Sequence, residues 1–266
     1  MSLKARLDSV RHRIAAACRR CGRQPSSVTL VGVTKGVPPG LISEAVAAGL
    51  TDLGENRVQE ARAKLQATGY KLQASGFGLP LGACSLQPVR WHLIGHLQRN
   101  KAKHAVELFD VIHSVDSLEL IEELERQAAG RRLHAAGAGE ARPLEVLVQV
   151  NVSGEKTKYG CTPQEASTLV QAVSQRRHLK IAGLMTMAPF SENPEDARPH
   201  FRRLRQIRDE VVVACRLQPA ACSLSMGMSQ DFEVAIEEGA DIVRIGTAIF
   251  GRRDEQSLEF GVRSSE

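Results

Sequence analysis

The chain has 266 residues, six of them Cys, a formal charge of +5 and an isoelectric point near 9.0. That length is enough for a substantial core in one unit, so 1–266 is expected to form a single domain. No stretch approaches the roughly 18 consecutive apolar residues of a membrane span, and the first twenty residues lack the apolar segment of a secretion signal, so a soluble cytoplasmic protein with no membrane partner is expected.

Leu3, Leu7, Val10 and Ile14 recur at three- and four-residue spacing and predict a leading amphipathic helix over 1–20. Cys18 and Cys21 form a lone CxxC with no second ligand pair, which reads as reduced thiols on a helix rather than a metal site. From residue 28 short runs rich in Val and Ile alternate with helical patterns: "VTLVGVTK" then "PGLISEAVAAG", "TDLGEN" then "RVQEARAKLQ", "WHLIGH" then "LQRNKAKHAVELF", "DVIHSVDS" then "LELIEELERQAAG". The second half repeats the rhythm with "LEVLVQVNVSG", "IAGLMTMAP", "CSLSMGMS" and "DIVRIGTAIFG", each followed by a helical stretch. Eight such units argue for a (β/α)8 barrel of the TIM type over 28–253, although a doubly wound open sheet has the same local signals; 254–266 reads as a tail. Residues 69–88 and 130–143, rich in Gly, Ala and Pro, read as surface excursions.

The basic charge raises the question of nucleic acid, but the arginines of "RPHFRRLRQIRDE" lie among Leu204, Ile207, Val211 and Val212 at helical spacing and read as a solvated helix face. With aromatics at 4%, stacking surface for single strands is scarce, and no nucleic-acid partner is expected.

In this register Lys35, Asn56, His96, Ser114, Asn151, Thr186, Ser225 and Arg244 fall at carboxyl ends of strands, the face on which barrels build their sites. A lysine ending an apolar run has its ammonium disfavoured and its amine available toward carbonyls; the alternative is a snorkelling or salt-bridged side chain. "SMGMS" and "RIGTAIFG" follow the seventh and eighth strands, where Gly227, Gly246 and Gly251 allow close approach of an anion and Ser225 and Thr247 add hydroxyls. Together with Lys35 they suggest a phosphorylated aldehyde.

The ordered set "LVGVTK", "GENRVQEA", "WHLIGHLQRNK", "VNVSGEKTKYG", "GLMTMAP", "LSMGMSQDFEVAIEEGAD" and "VRIGTAIFG" resembles the pyridoxal phosphate homeostasis protein family over nearly the whole chain. The resemblance implies a barrel like the amino-terminal domain of alanine racemase, with pyridoxal 5′-phosphate (PLP) as cofactor. It implies that Lys35 holds PLP as a Schiff base, that Ser225 with Gly246 and Thr247 seats the phosphate, that Arg244 lies near the pyridine nitrogen and that Asn56 lines the pocket. Family members often read "SKTKP" where this chain reads "TKGVPP", so the lysine is kept and its following loop is not. The implied role is non-catalytic PLP homeostasis, with apo PLP-dependent enzymes as recipients. The alternative is a one-domain racemase-like enzyme, for which Tyr159, His96 and Lys158 are candidate second bases; Tyr70 lies in the first excursion, and no second, all-β domain is expected to follow the barrel.

Overall fold

A computed structural model describes residues 1–69, 89–134, 143–155 and 157–251. Its strands are β1 (Thr29–Val33), β2 (Asp52–Glu55), β3 (Arg90–Leu93), β4 (Val111–Val115), β5 (Leu144–Gln149), β6 (Leu179–Met185), β7 (Ser223–Ser225) and β8 (Ile242–Ile245). They pair in chain order and close, β1 against β8, with Thr29 opposite Ile242 and Gly32 opposite Ile245. Closure excludes the open-sheet alternative. The helices are α1 (Leu3–Arg20), α2 (Pro39–Ala47), α3 (Val58–Thr68), α4 (Ala102–Leu108), α5 (Leu118–His134), α6 (Ala166–Ser174), α7 (Arg198–Ala214), α8 (Phe232–Glu237) and α9 (Thr247–Phe250). The helix α5 runs to His134, so the predicted excursion at 130–143 begins helically; residues 135–142, all but the first of 69–88 (Tyr70 included), and the tail lie outside the described residues.

The predicted apolar stripe of α1 is buried, from Leu3 through Leu7, Val10 and Ile14 to Ala17 and Cys18. Ser2 caps it through a bond from the Ala5 N–H at 3.2 Å, and Arg6 Nε donates to the Ile249 carbonyl at 2.6 Å, which seats α1 against α9. The basic helix α7 buries Phe201, Leu204, Ile207 and Val211. Its arginines are only partly a solvated face: Arg198 pairs with Glu237 at 2.7 Å, and Arg202 and Arg205 with Glu238 at 2.9 and 3.2 Å, tying α7 to α8.

Alternation along the strands sends Leu53, Leu93, Ile112, Val146, Leu224, Val243 and Ile245 outward into the main core. Inside the barrel the apolar cluster is small, Val111, Leu147 and Met185. Beside it lie buried polar side chains from five strands, Asp52, His92, His113, Ser225 and Arg244. A cavity of about 410 Å³ opens at the amino-terminal end of the barrel, lined by Arg90, His92, Glu145 and Asp241 among others. It lies at the opposite end from the strand-end residues singled out above. Among the described residues no helix is long and apolar enough to cross a membrane.

Candidate functional site

Lys35 sits in the turn between β1 and α2. The Val37 N–H donates to the Thr34 carbonyl at 2.8 Å, and Gly36, the third residue of this turn, has φ of 68°. A four-residue turn with positive φ only at its third position has the form of type II, which wants Gly there. That is a physical reason for the glycine after Lys35. The strand ends at Val33, however, and Lys35 is exposed, so desolvation at a strand end does not describe it. Its placement by a fixed turn singles it out instead.

The turn is anchored from behind by a buried ionic cluster. Lys64 of α3 donates through Nζ to the Thr34 carbonyl, to Glu55 Oε1 and, at 2.7 Å, to Glu60 Oε1. Thr34 Oγ1 also donates to Glu55 Oε1, and the Gly36 N–H donates to Glu60 Oε1. Burial pushes the Glu55 carboxyl up, against the pull of Lys64. Burial acts the same way on Glu60, but the bonds from Lys64 and Gly36 outweigh it and hold that carboxyl below its ordinary range.

Arg244 points into the barrel at the carboxyl-terminal end. Its Nη1 donates to Ser225 Oγ at 2.6 Å and its Nη2 to the Thr186 carbonyl at 2.8 Å. Ser225 Oγ lies 2.9 Å from His113 Nδ1, His113 Nε2 lies 2.9 Å from His92 Nδ1, and His92 Nε2 lies 3.0 Å from Asp52 Oδ1. Burial pushes His113 well below the usual imidazole range, and His92, Arg244 and Arg90 act in the same direction. It also pushes the Arg244 guanidinium down to about 10, so the group remains a cation at neutral pH. Among the described residues Arg244 has no ion pair, and two bonds occupy only part of a guanidinium's five N–H donors.

The segment after β7 runs beside β8: the Met226 N–H donates to Ile242 at 3.1 Å and the Arg244 N–H to the Gly227 carbonyl at 3.0 Å. This brings Ser229 to the start of α9, where its Oγ meets the Ala248 N–H at 3.4 Å. Gly246 and Thr247 open that helix, whose first N–H groups lack intrahelical acceptors; Gly246 is half-buried and Thr247 exposed. Ser225 was expected here as a phosphate donor, but its hydroxyl is fully buried and engaged by His113 and Arg244. Ser229, the second serine of "SMGMS", is the one that lies beside the first N–H groups of α9. Sequence reasoning missed it, although both serines stand in the same motif.

Asn56 follows β2 half-buried, and the chain after β3 passes so close that a Cβ on Gly95 would lie 2.3 Å from the Asn56 carbonyl oxygen. His96 stacks on Tyr159 with ring centroids 3.8 Å apart, and its Nδ1 lies 3.6 Å from Asp116. Asn151 bonds within its own loop, accepting from Gly154 and donating to the Glu155 and Lys158 carbonyls, which is a structural duty. Lys158 pairs loosely with Glu155 at 3.5 Å, and Ser114 is buried with no hydrogen-bond partner for its hydroxyl among the described residues.

Residues 5–254 match the alanine racemase amino-terminal domain. The chain is 42% identical over 253 residues to a pyridoxal phosphate homeostasis protein of Aquifex aeolicus, covering 95% of this chain and 99% of that one. It is 38% identical to the protein of the same name from Escherichia coli, over 93% and 95% of the two chains. Among solved structures it is similar to PipY of Synechococcus elongatus with PLP bound, at TM-score 0.75 and 34% identity over 94% and 100% of the chains. A Clostridium difficile alanine racemase shares the fold at TM-score 0.66 and 14% identity, and this chain covers 58% of it.

Proposed function

The chain belongs to the pyridoxal phosphate homeostasis protein family, and on that premise we propose that it binds PLP reversibly and holds it in reserve rather than using it to transform amino acids. When bound, PLP supplies an aldehyde that links to amines and a ring that withdraws electrons, more strongly when the ring nitrogen is protonated. Lys35, on its fixed turn, is the amine for the covalent link. The N–H groups of Gly246 and Thr247, with the Thr247 and Ser229 hydroxyls, are the neutral donors for the phosphate, and Asn56 lines the pocket. Arg244 would supply the N–H donor for the ring nitrogen.

The observation behind the non-catalytic reading is the buried Arg244, a cation that among the described residues has no ion pair and only two hydrogen bonds. That donor set fits an uncharged acceptor such as a pyridine nitrogen. A guanidinium has no lone pair to take a proton from that nitrogen and its charge opposes protonation there, so the ring's electron withdrawal is kept weak. Apo PLP-dependent enzymes are the recipients this role implies. The second reading, a one-domain racemase-like enzyme, draws on His96, Tyr159 and Asp116, whose rings and carboxylate gather on the same rim.

Incubating the PLP-loaded protein with each enantiomer of alanine, followed by chiral analysis, separates the two. Turnover well below about 1 per second is expected, and racemisation at or above that rate overturns the reserve role. The phosphate seat has its own measurement. Pyridoxal without phosphate should bind at least about 100-fold more weakly than PLP, since several hydrogen bonds to a charged group are lost; equal affinities would remove the seat at α9.

A further inference from the structure

The chain of side chains through the barrel has a direction that hydrogen-bond counting determines. Asp52 is acceptor only, so His92 carries a proton on Nε2, and an uncharged His92 then accepts at Nδ1; that leaves His113 Nδ1 to accept the Ser225 proton, while Ser225 Oγ accepts from the donor-only Arg244. With Nδ1 accepting, neutral His113 carries its proton on Nε2 and donates to His92 Nδ1; His92 in turn carries its proton on Nε2 and donates to Asp52. Burial acts to raise the Asp52 carboxyl, but the bonds from His92 and Thr51 and the nearby Arg90 charge together hold it below its ordinary range. The ends are therefore a guanidinium and a carboxylate, joined by two uncharged imidazoles and a hydroxyl, and every proton in the series has an acceptor. A buried cation without a direct carboxylate is costly. Here one opposite charge, the buried Asp231 carboxylate, acts on it through space, and a second, Asp52, reaches it through three polarised groups.

We infer that His113 and Ser225 are positioning residues for Arg244, fixing its guanidinium through a series of hydrogen bonds that all point away from the cofactor face toward Asp52. This rests on the PLP reading and deepens it. Ser225 and the Thr186 carbonyl hold two edges of the guanidinium, so its remaining donors are aimed rather than mobile. The order of protons also leaves the series no donor directed at the ring nitrogen except Arg244 itself. The groups facing His113 are His92 from β3, Ser225 from β7 and Arg244 from β8, with Arg90 of β3 acting at longer range. Protonation of His92 would reverse the series: His92 Nδ1–H would donate to His113, His113 Nδ1–H to Ser225, and the Ser225 proton would be released toward the cofactor face.

Two measurements test this, and the first needs no cofactor. In ¹⁵N-histidine-labelled, PLP-free protein at pH 7, both His92 and His113 should be neutral with the proton on Nε2, and His113 should stay so down to pH 5. A cationic His92, or a His113 proton on Nδ1, overturns the stated direction. In the loaded protein, Ser225→Ala should speed PLP release about tenfold, the scale of one charge-assisted hydrogen bond, and shift the ¹⁵N signal of the ring nitrogen, while Ser225→Thr, which keeps the hydroxyl, should restore both. Release and ring signal unchanged in Ser225→Ala overturn the positioning role. Should the wild-type protein take up no PLP, the cofactor reading fails by itself, and the histidine spectra still decide the direction of the series.

Discussion

Lys35→Ala protein should emerge colourless, and borohydride treatment in the presence of PLP should leave no pyridoxyl adduct at any single lysine. The wild-type protein should be yellow and labelled at Lys35. The argument is positional: a type II turn, closed by Val37 on Thr34 and braced by Glu60 on the Gly36 N–H, holds this one lysine at the carboxyl-terminal rim, just past the strand that pairs with β8 and its Arg244. The side chain is exposed, so its loss should cost no more than about 0.5 kcal/mol and shift the melting temperature by no more than about 2 °C. Uptake that disappears with the fold intact separates a linking role from a structural one. Specific labelling of Lys101 or Lys158 in the wild-type protein would move the link elsewhere on the rim.

The exposure of Lys35 shows where sequence reasoning ran short. The eight βα repeats were legible because each strand is a short Val- and Ile-rich run followed by a helical period, and that local signal survives folding. The rim residues were legible for the same reason, since a strand's carboxyl end can be read from its run. Whether a side chain just past that end is buried depends on the turn, and the turn depends on Lys64 and Glu60, which lie four apart on α3 and look like an ordinary surface pair. Ser225 and Ser229 stand four residues apart in one motif, yet one faces the barrel interior and the other the start of α9. Only the path of the segment after β7 distinguishes them. Asp52, His92 and His113 did leave a trace, as polar residues at inward positions of otherwise apolar strands, but the series they form needs closure of the barrel, its longest single link joining His113 to Ser225 across 112 positions.

The largest loss of stability should come from Lys64→Met. Lys64 and Glu55 are both buried, and removing the ammonium leaves a carboxylate whose Oε2 already has no hydrogen-bond partner among the described residues. Breaking a buried pair from one side costs about 3–5 kcal/mol, which for a chain of this size lowers the melting temperature by roughly 10 °C. The pH dependence follows from Glu55. Burial has already raised its folded pKa, and without Lys64 it rises further, so the folded variant binds a proton that the unfolded chain has released. The Glu55 part of the extra cost, variant against wild type, is absent below the wild-type folded pKa, itself raised above the unfolded carboxylate's range near 4.3, grows as pH rises past it, and is complete above the variant's folded value. Glu55→Gln added to Lys64→Met removes the stranded charge and should recover much of the loss at pH 7, because an uncharged pair no longer incurs the desolvation. Urea titrations at pH 4.5 and 7.5 on the single and double variants read all of this. A Lys64→Met cost below about 1 kcal/mol, or one that deepens toward acid pH, would mean that the pair behaves as a solvated surface bridge and that the Lys35 turn is held by Glu60 alone.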